Sequence, residues 1–387
     1  MVGKNGLLNR RTFLAGSAGM VTTAVWADST TQEPWRSGSG RGMSAYGSPS
    51  KYVGLERLQI AGHPFALQAG SSSTPLEKLN GTITPNSLHF ERHHSGVPEI
   101  NPTVHRLSIF GNVKRPRSFG YEDLLRYPLV SKIIFIECSG NSYRNLAATA
   151  LNQSAGELNG LFSCAEWTGV PLRLLLEEAG YDPKSDWVVA EGADAAGMNR
   201  SLPIDLALED ALVALYQNGE PLRGEQGFPL RLLVPGCEGN LSVKWLRSLQ
   251  VRNGPAHTRE ETSKYTDLQK GGRANQFSLR MGVKSVITAP SGKMLLPAHG
   301  VYEISGLAWS GHGAVNVVEV SADGGRSWQR AEIQSEPGLY RPTRFRLPWR
   351  WLGQAAVLQS RAIDSVGNTQ PTRTVAMADA APGFTYH

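Results

Sequence analysis

Cysteine is scarce in this sequence: its 387 residues include only Cys138, Cys164 and Cys237. The odd count, with no CxxC pair and no zinc-type spacing, argues against a disulfide framework. No CxxCH motif for haem attachment occurs, and the one His-Pro pair, His63-Pro64, is not followed by the Gly-Gly of b5-type cytochromes. Flavin and nucleotide motifs are also missing. We therefore expect no haem in this chain and, if it does redox chemistry, transfer of its electrons to a separate protein.

Strong charge and long apolar runs are missing as well. The formal net charge is +6, and half of it comes from Lys4, Arg10 and Arg11, which all precede residue 28. The rest is too weak to indicate a nucleic-acid partner, and none is expected. No apolar run is long enough to predict a membrane anchor. Hydrophobic residues make up 40% of the chain, as is typical of a globular protein with a sizeable core.

The N-terminus carries an export pattern. Residues 9–15 read Asn-Arg-Arg-Thr-Phe-Leu-Ala, and small and apolar residues continue to Ala27. This predicts a twin-arginine signal peptide over residues 1–27 and a periplasmic location. The alternative is a disordered tail that contains two adjacent arginines. Because the twin-arginine route moves folded proteins, the signal favours a cofactor that is loaded before export.

Residue composition divides the rest of the chain into three parts. Residues 28–80 are rich in Ser, Gly and Pro and are predicted to form a flexible extension. Strand and helix patterns alternate irregularly over residues 81–280, which predicts an α+β domain. Residues 281–380 lack helical periodicity, and Asp323-Gly324-Gly325 is a hairpin signal, so we predict an immunoglobulin-like β-sandwich there.

Cys138 is the most informative single residue. It follows an apolar strand, Ile133–Ile136, and begins a Ser-Gly-Asn turn. A thiol at the mouth of a sheet is placed where ligands commonly bind, and a soft thiolate suits a transition metal. A strand-end cysteine on its own is more often a buried core residue, so the residue alone leaves both interpretations open.

Four motifs in order support a metal site. They are Phe-Glu-Arg-His-His-Ser-Gly-Val-Pro-Glu-Ile from residue 90, Ile-Glu-Cys-Ser-Gly-Asn from 136, Gly-Phe-Pro-Leu-Arg-Leu-Leu-Val-Pro-Gly from 227 and Ser-Val-Lys-Trp-Leu from 242. Over residues 82–375 the sequence resembles the sulfite oxidase family of molybdopterin enzymes. The resemblance implies a molybdopterin-binding catalytic domain at 81–280, a dimerisation sandwich at 281–380 and one molybdenum–molybdopterin cofactor per chain.

The same resemblance implies roles for eleven residues. Cys138 is the expected thiolate ligand of molybdenum. The expected cofactor-binding residues are Phe90, His94, Asp194, Arg231, Ser242, Val243 and Lys244. The expected catalytic residues are Tyr265, which could hydrogen-bond a metal oxo group, and Arg92 and Arg346, whose planar charge matches a substrate oxyanion. An isolated Arg231 or Arg346 is usually a surface charge, and Trp245 and Phe228 are more simply core residues.

Several positions depart from the sulfite oxidase pattern. Ser142 and Tyr143 stand where arginines normally follow the cysteine turn, with Arg144 one place later. Glu157 stands at the spacing of an expected tryptophan, and Gln226 replaces a histidine. These changes predict a less cationic pocket of different shape, which disfavours free sulfite as the substrate.

The departures fit one subgroup of the family. The segments Phe-Ser-Cys-Ala-Glu-Trp-Thr-Gly-Val-Pro-Leu from residue 162, Arg-Glu-Glu-Thr-Ser-Lys-Tyr-Thr-Asp-Leu from 259 and Gly-Leu-Ala-Trp-Ser-Gly from 306 resemble sulfane dehydrogenase subunits of the bacterial sulfur-oxidising system. The resemblance implies oxidation of sulfane sulfur held on a carrier protein, a c-type cytochrome as acceptor, and a homodimer or heterotetramer. The alternatives are a sulfite dehydrogenase, a non-catalytic cofactor-binding partner of a cytochrome, and an exported immunoglobulin-like adhesion protein.

Overall fold

The computed structural model describes residues 39, 41–60, 68–147, 149, 151–268 and 271–379. The predicted signal peptide, residues 1–27, lies outside the described residues. The chain divides into two compact units, Met1–Val53 and Gly54–His387. The described residues of the first unit contain no helix or strand. In the described part of the chain, no helix is both long enough and apolar enough to cross a membrane.

The second unit begins with a small sheet and two larger ones. Strands β1–β3 form a three-stranded antiparallel sheet: Leu58–Ile60, Gly70–Ser73 and Glu91–His93. The next ten strands are β4 Leu107–Gly111, β5 Arg117–Phe119, β6 Val130–Glu137, β7 Phe162–Pro171, β8 Trp187–Gly192, β9 Asn199–Pro203, β10 Leu212–Gln217, β11 Glu220–Pro221, β12 Arg231–Leu233 and β13 Leu246–Arg252. One sheet has the order β11-β10-β7-β6, with β12 also paired to β10, and the other has the order β5-β4-β13-β8-β9.

Short helices connect these strands. The α-helices are α1 Tyr121–Leu124, α2 Ala155–Asn159, α3 Leu172–Ala179, α4 Ile204–Glu209, α5 Arg259–Ser263 and α6 Arg373–Asp379. Single 3-10 turns occur at Leu76–Lys78, Asn86–Leu88, Tyr143–Leu146, Gly224–Gln226 and Gly239–Leu241. Helix α3 shows why the local sequence folds this way: Pro171 precedes it, and Gly180 ends it in a left-handed conformation with φ of 67°. Its leucine face lies in the main core.

The C-terminal strands form the predicted sandwich. After the short hairpin of β14 Asp267–Leu268 and β15 Ala274–Asn275 come β16 Lys284–Ala289, β17 Gly300–Trp309, β18 Val315–Ser321, β19 Gln329–Arg330, β20 Glu332–Ile333, β21 Thr343–Trp351 and β22 Gln359–Asp364. One sheet has the order β16-β17-β21-β20 and the other β19-β18-β22. The fold class is therefore α+β followed by an immunoglobulin-like sandwich, as predicted.

The sandwich packs directly on the strand that leads to Cys138. Trp309 at the end of β17 stacks on Phe162 of β7, with ring centroids 4.0 Å apart. Phe135 of β6 also stacks on Phe162, with ring centroids 5.7 Å apart. All three aromatic side chains are at least 98% buried. Burial of this much aromatic surface fixes the end of β6 against the sandwich.

Candidate active site

Strand β6 presents Cys138 at its end. The last four residues of β6 are buried, and the chain then turns: the Cys138 amide donates to Leu161 O at 2.9 Å, and the Asn141 amide donates to Cys138 O at 2.9 Å. Burial raises the pKa of the Cys138 thiol, while the Gly140 amide and Arg92 act to lower it. A bound metal ion would overcome this desolvation because a coordinating thiol is deprotonated outright.

The thiol faces a large cavity. The empty space amounts to about 690 Å³, including the part open to solvent. Ten of the eleven predicted site residues line it: Phe90, Arg92, His94, Cys138, Asp194, Arg231, Ser242, Val243, Lys244 and Tyr265. These residues come from β3, the cysteine turn, the loop after β8, β12 and the segments flanking β13 and α5. The fold therefore brings together side chains that are separated by up to 175 positions.

Arg346 is the exception. It lies on β21 opposite Ser305, and its guanidinium donates to Glu303 at 2.7 Å rather than lining the cavity. Its neighbour in the side-chain alternation, Arg344, is buried and donates to Gly81 O at 2.8 Å. The paired register of the sandwich thus directs both arginines to partners of their own, and the placement of Arg346 gives no support to its predicted role in the substrate pocket.

Arg231 forms part of the floor of the cavity. It is 4% exposed, donates to Gln226 O at 3.1 Å and to Ser242 O at 2.9 Å, and lies 5.2 Å from the ring centroid of Trp167. Burial lowers the pKa of Arg231 to about 9, so the group is still a cation at neutral pH. Such a buried charge favours an anionic ligand.

Lys244 is held by three acceptors. Its Nζ donates to Arg92 O at 3.1 Å, to Glu225 O at 3.1 Å and to His93 Nδ1 at 2.8 Å. Burial lowers the pKa of Lys244 strongly, and Arg231 lowers it further. When Lys244 Nζ donates to Nδ1, a neutral His93 carries its ring proton on Nε2, which then donates to Glu91 at 2.6 Å.

Three polar atoms of the cavity wall test whether a polar cofactor fits. His89 Nε2, Arg231 Nε and Asn240 Oδ1 are buried and make no hydrogen bond to any described residue. An unsatisfied buried polar atom costs about 1–3 kcal/mol. A pterin with a phosphate offers ring donors, ring acceptors and an anion. It could therefore hydrogen-bond to His89 Nε2, Arg231 Nε and Asn240 Oδ1 at the same time. The residues present fit a molybdopterin.

Several lining residues lie outside the predicted set. His89 directly precedes the first motif, and Asn240 lies between two motifs, so neither carried a signal of its own. Trp245, assigned more simply to the core, is buried and lines the cavity, whereas Phe228 packs against a core cluster as expected. Gln226, noted as a departure, lines the cavity and donates to Phe90 O at 3.0 Å.

Tyr265 is supported by a buried arginine. Its amide donates to Glu260 O at 2.8 Å at the end of α5, and the Arg200 guanidinium lies 4.9 Å from its ring centroid. Arg200 is 1% exposed and lies 3.9 Å from the buried carboxylate of Glu261. Arg200 belongs to none of the sequence motifs, so its contact with the Tyr265 ring was not predicted.

The other departures lie outside the cavity lining. Tyr143 is about half exposed and accepts from Arg144 Nε at 3.1 Å. Glu157 caps α2 through the Ser154 amide at 2.7 Å and pairs with Lys293 at 2.6 Å. These substitutions therefore change the pocket by leaving out a charge: among the described residues, no arginine from the cysteine turn lines the cavity.

The buried histidine His89 predicts an acid-sensitive fold. Burial lowers its pKa to about 3, while an unfolded chain has a histidine pKa near 6.5, so the unfolded state binds the proton in between. Stability is then complete above about pH 6.5 and falls as the pH drops, by up to about 1.4 kcal/mol per pH unit from this group. Urea titrations of the cofactor-free protein from pH 7 to 4.5 should show a smaller acid loss for His89→Phe than for the unchanged chain. Parallel pH curves for the two proteins would refute the burial of a neutral His89.

Comparison with known proteins defines the class of this enzyme. A family model described as an oxidoreductase molybdopterin binding domain matches residues 94–260, and one described as a Mo-co oxidoreductase dimerisation domain matches residues 275–380. The solved structure of the sulfane dehydrogenase SoxCD from Paracoccus pantotrophus is 41% identical, with a TM-score of 0.88 over 92% of this chain and 93% of that one. The protein is a molybdopterin oxidoreductase.

Less similar relatives identify the family to which this oxidoreductase belongs. Mouse mitochondrial sulfite oxidase is 29% identical over 78% of this chain, and a nitrate reductase of Phytophthora infestans is 33% identical over 79%. The chain spans 60% and 37% of the length of these two relatives. It belongs to the sulfite oxidase family and is structurally close to the sulfane dehydrogenase.

Proposed function

We propose that this enzyme oxidises sulfane sulfur attached to a carrier protein and passes the electrons to a separate c-type cytochrome in the periplasm. The observation that carries the proposal is the convergence of Cys138 and nine other predicted residues on one cavity. The likeness to a sulfane dehydrogenase supports the choice of substrate. When bound, molybdenum supplies a two-electron oxo transfer to sulfur. The working form is proposed to be a homodimer or a heterotetramer with the cytochrome.

The proposed roles divide between cofactor and substrate. Cys138 would hold the metal, Arg231 and Lys244 would hold the anionic end of the pterin, and His94 and Asp194 would contact its rings. Burial, with help from Arg92, lowers the pKa of His94 to about 4, so it is neutral at pH 7 and can accept as well as donate a hydrogen bond. Phe90, Ser242 and Val243 would shape the pocket around the cofactor.

The charge of the cavity supports a protein-borne substrate. Arg231 and Lys244 are assigned to the pterin, which leaves Arg92 as the cation proposed to face the substrate. Like them, Arg92 is held by main-chain oxygens, those of Gly70 and His93. One arginine suits a sulfane side chain with a terminal anionic group better than it suits the small sulfite dianion. Sulfite oxidation is the alternative, and the likeness to mouse sulfite oxidase favours it.

The substrate assignment can be tested by measuring cytochrome reduction. The molybdenum-loaded enzyme would be offered a thiosulfate-loaded carrier protein, the unloaded carrier, and free sulfite. We expect turnover with the loaded carrier and little with the other two. Rapid turnover of sulfite and none with the loaded carrier would replace the proposal by the sulfite dehydrogenase alternative.

Replacing Tyr265 by phenylalanine tests the proposed catalytic role. Removing a positioned proton donor typically costs about a hundredfold or more, so we expect kcat to fall by that order while the molybdenum content is unchanged. Tyr143→Phe is the matched control, because Tyr143 is half exposed and lies outside the cavity lining. Equal kcat values for the two variants would show that Tyr265 has no part in the chemistry.

A further inference from the structure

Glu137 occupies an unusual position directly before Cys138. It is the last residue of β6, and its side chain is 0% exposed. Carboxylates are almost never fully buried unless they are paired. The contacts of this carboxylate therefore explain why it is tolerated next to the thiol.

Two partners of Glu137 come from the sandwich. Oε1 accepts from Lys284 Nζ at 3.0 Å, and Oε2 accepts from the Trp309 indole at 2.7 Å. Lys284 on β16 and Trp309 on β17 are directly paired in the sandwich sheet. They lie 147 and 172 positions away in the chain, so the carboxylate joins the end of β6 to a single rigid place in the sandwich.

The third partner belongs to the cysteine turn. Asn141 Nδ2 donates to Glu137 Oε1 at 3.0 Å, and Asn141 Oδ1 accepts from the Leu161 amide at 3.1 Å. The Asn141 amide also closes the turn on Cys138 O at 2.9 Å. The carboxylate is thus connected to both ends of the turn that carries the thiol: through the chain to Cys138 and through a side chain to Asn141.

We propose that Glu137 is a positioning residue, which fixes the direction of the Cys138 thiol and makes the geometry of the metal ligand depend on the sandwich. The inference rests on the proposed ligation of molybdenum by Cys138. Partners of this kind behind a metal ligand typically change metal affinity or activity by about 10- to 100-fold when they are lost. The sandwich would then serve the active site as well as any subunit contact.

Glutamine cannot replace this carboxylate without conflict. Both oxygens of Glu137 accept, and all three partners are donors. In Glu137→Gln the amide NH₂ must face either the Trp309 indole or the pair of Lys284 and Asn141, and in both orientations a donor meets a donor. The substitution keeps the shape of the side chain but breaks its hydrogen bond either to Trp309 or to Lys284 and Asn141, so the side chain no longer joins the turn to both partners in the sandwich.

The test compares the molybdenum-loaded enzyme with three variants. Glu137→Gln removes the acceptor pattern, and Trp309→Phe removes one donor while keeping the aromatic packing and the charge pair. Lys293→Met is the matched control, because its 2.6 Å pair with Glu157 also joins the C-terminal part to the catalytic part but is exposed and does not reach the cysteine turn. The readouts are the thiolate-to-molybdenum absorption band, the electron paramagnetic resonance signal after partial reduction, molybdenum content, kcat, KM and the unfolding temperature.

We expect Glu137→Gln to shift the absorption band and the resonance signal and to lower kcat by about tenfold or more with KM unchanged. Trp309→Phe should shift both spectra less, and it carries the test if Glu137→Gln does not fold. Lys293→Met should keep the original spectra and kcat. Original spectra in both Glu137→Gln and Trp309→Phe, whatever their stability, would overturn the positioning role alone. A loaded wild-type enzyme without any thiolate-to-molybdenum band would overturn the ligation by Cys138 and this inference together.

Discussion

Replacing Cys138 by serine is expected to abolish the molybdenum chemistry. Loss of a residue behind a metal ligand costs up to about a hundredfold, so loss of the ligand itself should lower kcat by more than that. A serine hydroxyl is harder and less acidic than a thiol, and the cavity already disfavours anionic Cys138 by burial. The measurement is steady-state cytochrome reduction per bound molybdenum atom.

The other two thiols provide the control for this variant. Cys164 and Cys237 are buried, and burial raises the pKa of Cys237 to about 12. Neither lines the cavity. Cys237→Ala should therefore keep the wild-type kcat while lowering stability slightly. If Cys138→Ser and Cys237→Ala have the same kcat per molybdenum, the thiol of Cys138 is not the ligand.

Replacing Lys244 by methionine is expected to remove most of the bound cofactor. The substitution keeps the length of the side chain but leaves Arg92 O, Glu225 O and His93 Nδ1 without their donor. Each unsatisfied acceptor costs about 1–3 kcal/mol, so both the cofactor-free fold and its affinity for an anionic pterin should weaken. We expect molybdenum per chain to fall by about tenfold or more under equal loading conditions.

A variant of a more exposed lysine, Lys132→Met, is the control that shows whether loss of any lysine lowers cofactor binding. Lys132 pairs with Asp210 and is about one-third exposed, and exposed pairs contribute only about 0–1 kcal/mol. Lys132→Met should retain both its molybdenum and its unfolding temperature. A Lys244→Met protein that binds as much molybdenum as Lys132→Met would show that Lys244 does not hold the cofactor.

The sequence predicted the architecture where the signal is local. The apolar run before Cys138 and the hairpin signal at Asp323 each lie within a few residues, as do the Pro171 and Gly180 that bound α3. The structure has β6 at Val130–Glu137, α3 at Leu172–Ala179 and a strand on each side of the hairpin. After the hairpin the chain forms two short strands, β19 and β20, which pair with different sheets of the sandwich, and the hairpin signal alone did not predict this division.

The site residues that lie within the four sequence motifs could be predicted from the sequence. Cys138 follows β6, whereas the residues from positions 90, 231 and 242 onward precede or begin β3, β12 and β13, and all of them line one cavity. Arg346 was placed by resemblance alone, and the position of its side chain depends on the pairing of β21 with β17, which no motif encodes. The contacts of Glu137 could not be predicted from the sequence either, since they depend on how the sandwich packs on β6.

X-ray absorption at the molybdenum edge tests the central claim most directly, because it counts the sulfur atoms around the metal. The wild-type enzyme and Cys138→Ser would be loaded with cofactor in the same way and compared in the oxidised state. We predict that the variant has one sulfur neighbour fewer than the wild type. An unchanged sulfur count would contradict the assignment of Cys138 as the protein ligand of molybdenum.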